Sequence, residues 1–107
     1  MPTAPRNVEL IKGWFSETLP AFATSHRETV SFLHVDCDLY LSTRCIFENL
    51  GERIGKGCVI VFDEYFNYPG WKEHEHLALQ ELIRLRDLKY RYEALVPSHQ
   101  QVCVVIE

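Results

Sequence analysis

The stretch HVDCDLYLST sets two carboxylates, Asp36 and Asp38, one residue apart directly after an apolar run, and GCVIVFDEY ends in the same way on Asp63 and Glu64. Taken singly, an acid that follows a strand serves as a turn former or helix cap as readily as a ligand. Acidic pairs that meet repel one another and raise each other's pKa, unless a cation lies between them. Donors made only of Asp and Glu oxygens suit a hard divalent ion, Mg²⁺ first and Mn²⁺ as the alternative. Whether the two pairs meet is decided by the elements that carry them.

Thr29 to Val35, TVSFLHV, is a β-branched and aromatic run of strand length, apolar enough for a strand buried on both faces. Ser42 or Thr43 can cap a following helix whose Ile46, Phe47, Leu50 and Ile54 recur at helical spacing, ending near Gly55. Residues 57–65 read as a second apolar strand running into acids, and FNYPG after it is a loop. Trp71 to about Leu88 is helical in pattern. YRYEALV and QVCVVIE are strands joined by PSHQ, a link short enough for a hairpin. Upstream, Val8 to Ile11 reads as a short strand, and the segment from Gly13 as a brief helix interrupted at Pro20. Strand, helix, strand, helix, strand, strand predicts an α/β layer with parallel strands first and an antiparallel member last. In such sheets ligands bind beyond the carboxyl ends of the strands. If the first two strands are parallel neighbours, Asp36, Asp38, Asp63 and Glu64 open onto one edge.

The 107 residues, 47% hydrophobic and 24% charged, predict one ordinary globular domain over 1–107, with residues 1–6 flexible. No run reaches the roughly 20 apolar residues of a membrane span, and the first residues lack a signal-peptide core. A cytoplasmic protein without a membrane partner is expected. A formal charge of −4 gives no electrostatic reason to bind nucleic acid. The four cysteines show no CxxC spacing and read as buried free thiols. In EHEH, His74 and His76 point in different directions on a helix and cannot share an ion, so a solvated face is expected. His34 reads as a hydrogen-bonded core histidine and His99 as an exposed turn residue. Tyr65, Phe66, Tyr68 and Trp71 cluster after the second acidic pair, where Tyr65 and Trp71 could wall an acceptor pocket.

HVDCDLYLST followed by GCVIVFDEYFNYPGW resembles the metal-dependent O-methyltransferases of the macrocin O-methyltransferase type, class I S-adenosylmethionine-dependent enzymes, and VELIKGWFSETLP resembles their lead-in. The resemblance implies a partial Rossmann-like sheet, strands 4-5-7-6 of the family order, with an antiparallel C-terminal hairpin. It implies that Asp36 is a metal ligand and the base toward the acceptor hydroxyl, and that Asp63 and Glu64 complete a Mg²⁺ site. Relatives often carry Asp or Asn at the second of these places, so Glu64 is a departure that lengthens one ligand arm. Asp38 and Tyr40 would support these groups from behind, Asp38 by hydrogen bonding or capping. The implied reaction is methyl transfer from S-adenosylmethionine to a small-molecule hydroxyl, possible acceptors including sugars.

None of the five glycines falls in a GxGxxG or GxG arrangement, so the cofactor-binding loop of that family is not in the chain. The resemblance thus implies a portion of the fold that starts after its third strand, with a bare edge strand calling for a homo-oligomer or a missing N-terminal half. Two other readings stand beside it. Asp36-Cys37-Asp38 is also the DxD with which glycosyltransferases hold a divalent ion, although that leaves Asp63 and Glu64 unused. The third is a folded remnant that associates without catalysis.

Overall fold

The structure is a computed structural model and describes residues 8, 11–36, 40–66 and 68–107. Its elements are α1 (Phe15–Ser25), β1 (Val30–Val35), α2 (Tyr40–Leu50), β2 (Ile54–Phe62), α3 (Glu75–Arg86), β3 (Tyr90–Leu95) and β4 (Val102–Ile106). Short 3₁₀ turns at Gly51–Arg53 and Trp71–Glu73 lead into β2 and α3. The four strands form one sheet in the order β1-β2-β4-β3, with β1 parallel to β2 and β4 antiparallel to both its neighbours. This is the mixed α/β layer expected, in the 4-5-7-6 order, closed by an antiparallel hairpin.

Alternation explains which face of the sheet is filled. Ile54, Cys58, Ile60 and Phe62 of β2 and Val102, Val104 and Ile106 of β4 point to one side. There they meet Ile46, Phe47 and Leu50 of α2 and Ala78, Leu79 and Leu82 of α3, all in one buried cluster. Ile60, Phe62, Leu79 and Val104 are completely buried, and truncating Leu79 to Ala should cost about 2–5 kcal/mol through lost contacts and the residual cavity. Gly51 lets the end of α2 approach α3: a Cβ there would come within 3.0 Å of Leu82 Cδ1. The helix α1 packs on α2, and Arg53 reaches back to bond the Ala23 carbonyl at 2.6 Å.

Several sequence expectations are corrected. Val8 and Ile11 lie in no strand, and the residues between them are outside the described set. Pro20 does not interrupt α1, which runs through it and gives up only the bond its missing N–H would have made. Ser42 and Thr43 do not cap α2: the helix already includes Tyr40, and Thr43 is buried within it. Ile54 opens β2 instead of closing α2, because the Gly51–Arg53 turn intervenes. β1 is not buried on both faces, since it is an edge strand of the described sheet and Phe32 is 61% exposed.

Candidate active site

The parallel register of β1 and β2 sets Val35 against Phe62, so the next residues, Asp36 and Asp63, leave the sheet side by side. The pairing extends one bond further, from the Asp63 N–H to the Val35 carbonyl at 3.0 Å. The two carboxyl groups lie within hydrogen-bonding reach of each other. His34 joins them from β1, its Nε2 donating to Asp63 Oδ1 at 3.0 Å. This hydrogen bond is the main reason the Asp63 carboxyl titrates below its ordinary range; desolvation opposes it, and the contact to Asp36 and the charge of His34 add to the lowering.

Glu64 follows at the same rim, its carbonyl accepting from the Tyr68 hydroxyl at 3.1 Å. Asp38 lies outside the described residues. Tyr40 turns toward α3, where its hydroxyl donates to Glu81. Tyr65 is 3% exposed. Its ring packs on Phe62, His76 and Tyr92, and its hydroxyl meets that of Tyr92 at 2.7 Å. Burial pushes the Tyr65 phenol far above its usual range. Trp71 is half-buried at the approach to α3, edge-on to His76 with ring centroids 4.9 Å apart.

Sequence reasoning missed two residues here. EHEH is not a solvated face: Glu75 is 1% exposed, and neither of its carboxyl oxygens has a hydrogen-bond partner. The backbone N–H of Glu64 gives it partial relief without meeting hydrogen-bond geometry. Burial, reinforced by Glu64, Asp63 and Asp36, pushes the Glu75 carboxyl up to about 8. The signal was in the helix spacing, because Glu75, Ala78, Leu79 and Leu82 lie on one stripe of α3. His34 is no core histidine, for its side chain is 49% exposed and bonded to Asp63. It stands two places before Asp36, which directly follows the end of β1, and residues two apart in extended chain share a face. Cys45, Cys58 and Cys103 are free thiols as expected, but of these only Cys58 is buried, Cys45 and Cys103 being partly exposed; Cys37 is outside the described residues.

The donor chemistry suits a hard cation: two carboxyl groups in contact need a shared proton or a positive ion between them. Among the described residues, however, no three His, Cys, Asp or Glu side chains converge as an ion's ligands. Glu64 is therefore beside the Asp36–Asp63 pair without joining it in a ligand set.

A family model described as Macrocin-O-methyltransferase (TylF) matches residues 4–85, a span that contains both acidic pairs. The chain belongs to this family. Demethyldecarbamoylnovobiocin O-methyltransferase of Streptomyces niveus is 35% identical to it over 66 residues, 62% of this chain and 24% of that enzyme. The 8-demethyl-8-(2,3-dimethoxy-alpha-L-rhamnosyl)-tetracenomycin-C 4'-O-methyltransferase of Streptomyces olivaceus is 36% identical over 58 residues, 54% of this chain and 21% of that enzyme. In these matches the chain spans less than a quarter of the length of its curated relatives. Among solved structures, apo CalS11, a TDP-rhamnose 3'-O-methyltransferase of calicheamicin biosynthesis, superposes with a TM-score of 0.67 at 25% identity, over 89% of this chain and 39% of that one. The O-methyltransferase NovP gives 0.65 at 28% identity, over 87% and 35%. The TylF-family match gives the DxD of residues 36–38 a methyltransferase context, and nothing favours the glycosyltransferase reading. Among the described residues no helix is long and apolar enough to cross a membrane.

Proposed function

We propose that this TylF-family chain forms the acceptor side of an S-adenosylmethionine-dependent O-methyltransferase that acts on a sugar hydroxyl. The observation that carries the reading is the contact between Asp36 and Asp63 at the ends of two adjacent parallel strands. The relatives support it, since two of those named above methylate, by their names, a TDP-rhamnose and a rhamnosyl group.

In this reading Asp36 takes the proton of the acceptor hydroxyl while the hydroxyl oxygen takes the methyl group, and the thioether of S-adenosylhomocysteine leaves. When bound, S-adenosylmethionine would supply the electrophilic methyl, and a divalent cation at the carboxylates would lower the pKa of the hydroxyl. Asp36 and Asp63 would hold that cation, with Glu64 beside them at the rim but outside the pair. His34 holds Asp63 through Oδ1, orienting the carboxyl group that would bind the cation. The neutral Glu75 behind them keeps a further negative charge out of the site at neutral pH.

Mn²⁺ binding followed by electron paramagnetic resonance tests the reading. Wild-type protein should bind Mn²⁺, with about tenfold or greater weakening in both Asp36→Asn and Asp63→Asn. Equal affinity in all three proteins, or no binding in any, would remove the metal-assisted mechanism.

A further inference from the structure

Strands β1, β2 and β3 run the same way, and α2 and α3 each return from one of them to the next, so the two helices lie side by side in one direction. On the side away from the sheet they leave a groove of ≈ 560 Å³. Buried Phe47, Ala78 and Leu82 form its floor, and its rims carry Arg44 and Glu48 from α2 and Glu81, Arg84 and Leu85 from α3. Leu85 is 82% exposed, and Leu41, one turn before Arg44, is 69% exposed. A single exposed leucine needs no account, but two beside one apolar groove mark a contact surface. The rim charges alternate. Arg44 Nε donates to Glu48 Oε1 at 2.7 Å, one turn along α2, and Arg44 also lies within electrostatic reach of Glu81. The α2 rim therefore runs from positive to negative and the α3 rim from negative to positive.

We propose that a second copy of this chain docks on the α2–α3 groove, related by a two-fold axis that lies in the contact and crosses both helices. Such an axis sets α2 against α2 and α3 against α3 of the other copy, end for end. Arg44 then faces Glu48 of the second copy, and Glu81 faces its Arg84, each contact occurring twice by symmetry. Every rim charge is matched. A surface of a single sign would attract two of the four rim groups and repel the other two. The same rotation carries Leu85 to the Ala78 end of the other copy's groove, where the lining side chain is smallest. Removal of Leu41 and Leu85 from water supplies attraction, and the charges fix the direction of docking. No residue of the acidic rim lines the groove, and the groove is separate from the β1 edge at the end of the sheet. The contact is thus independent of the methyl-transfer reading.

Sedimentation velocity over a concentration series measures the association, with urea unfolding of each protein to confirm that it folds as the wild type does. The wild type should show a monomer–dimer equilibrium, and Leu85→Lys, a change at an exposed position, should weaken it about tenfold or more. Arg44→Glu sets glutamate against glutamate in its own dimer, and Glu48→Arg sets arginine against arginine, so each alone should also weaken association. Mixed in equal amounts, the two variants again set every glutamate of α2 against an arginine, and the mixture should recover association close to that of the wild type. A wild type that stays monomeric at every concentration overturns the proposal, as does association that Leu85→Lys leaves unchanged, which would assign the contact to another surface. A mixture that associates no better than its components overturns the end-for-end arrangement. A monomer that sediments with vesicles of phosphatidylcholine and phosphatidylglycerol, and loses this in Leu85→Lys, overturns the second copy in favour of a lipid surface.

Discussion

Glu75 makes the pH dependence of stability a sharp test of how the site is built. Its carboxyl is buried without a hydrogen-bond partner and titrates at about 8, against an ordinary value of 4.5. Between these values the folded chain keeps a proton that the unfolded chain releases, so stability falls as pH rises, by up to about 1.4 kcal/mol per pH unit. From about pH 5 to pH 7 the loss comes to about 2.5 kcal/mol, and it is absent below the unfolded value. Glu75→Gln keeps the shape and cannot ionise, so its stability should lack this decline. Burial holds His76 below its usual value, which makes stability rise with pH. The informative quantity is therefore the difference between wild type and variant, in which the His76 contribution cancels. Urea denaturation at several pH values with a chelator present would measure it. Parallel stability curves for the two proteins would refute the claim that Glu75 is buried and proton-bearing.

Two further outcomes follow from neighbouring contacts. In His34→Ala the Asp63 carboxyl should rise toward its ordinary range, as read by carboxyl ¹³C shifts, because its largest stabilising partner is gone. A depressed carboxyl supports the fold above the unfolded pKa and loses that support as pH falls, so the variant should also lack part of the wild type's loss at acid pH. Asp87 closes α3 in the left-handed region at φ 51°. Asp87→Gly should raise stability by up to about 1 kcal/mol in thermal or urea unfolding, since glycine takes that conformation without strain.

The sheet was legible in the sequence because its signals are local. Continuous apolar runs ending in acids mark β1 and β2, and a link of four residues, PSHQ, between two strands leaves little but a hairpin. Given those, the strand order and the meeting of Asp36 with Asp63 follow from the family pattern. The failures have a different physical origin. Apolar composition marks β1 as a strand but not as a central or edge one, and Phe32 stays exposed at the edge of the described sheet. EHEH was judged by its polarity, although the helical stripe through Ala78, Leu79 and Leu82 already took Glu75 inward. Tyr65 looked like a pocket wall by type, yet the hairpin strand offers Tyr92 as a partner and draws the phenol into the core. The approach of residues 98–101 to residues 63–64 is tertiary, and no local pattern records it.

The chemistry of the site rests on a register of one residue. His34 lies on the face of β1 opposite to the one where Val35 enters the core, and Asp36, two residues on and just past the strand end, continues the alternation on the His34 side. On β2 the same parity sends Phe62 into the core and Asp63 out beside Asp36. Slipping the β1–β2 pairing by one residue would turn Val35 out and bring His34 in, exchanging a buried valine for a polar ring. The cost of that exchange holds the register, and the register holds the two carboxyl groups in contact. The core is thus the device that brings like charges together, and the contacts of Asp63 with His34 and with Asp36 form at a place that packing has already fixed.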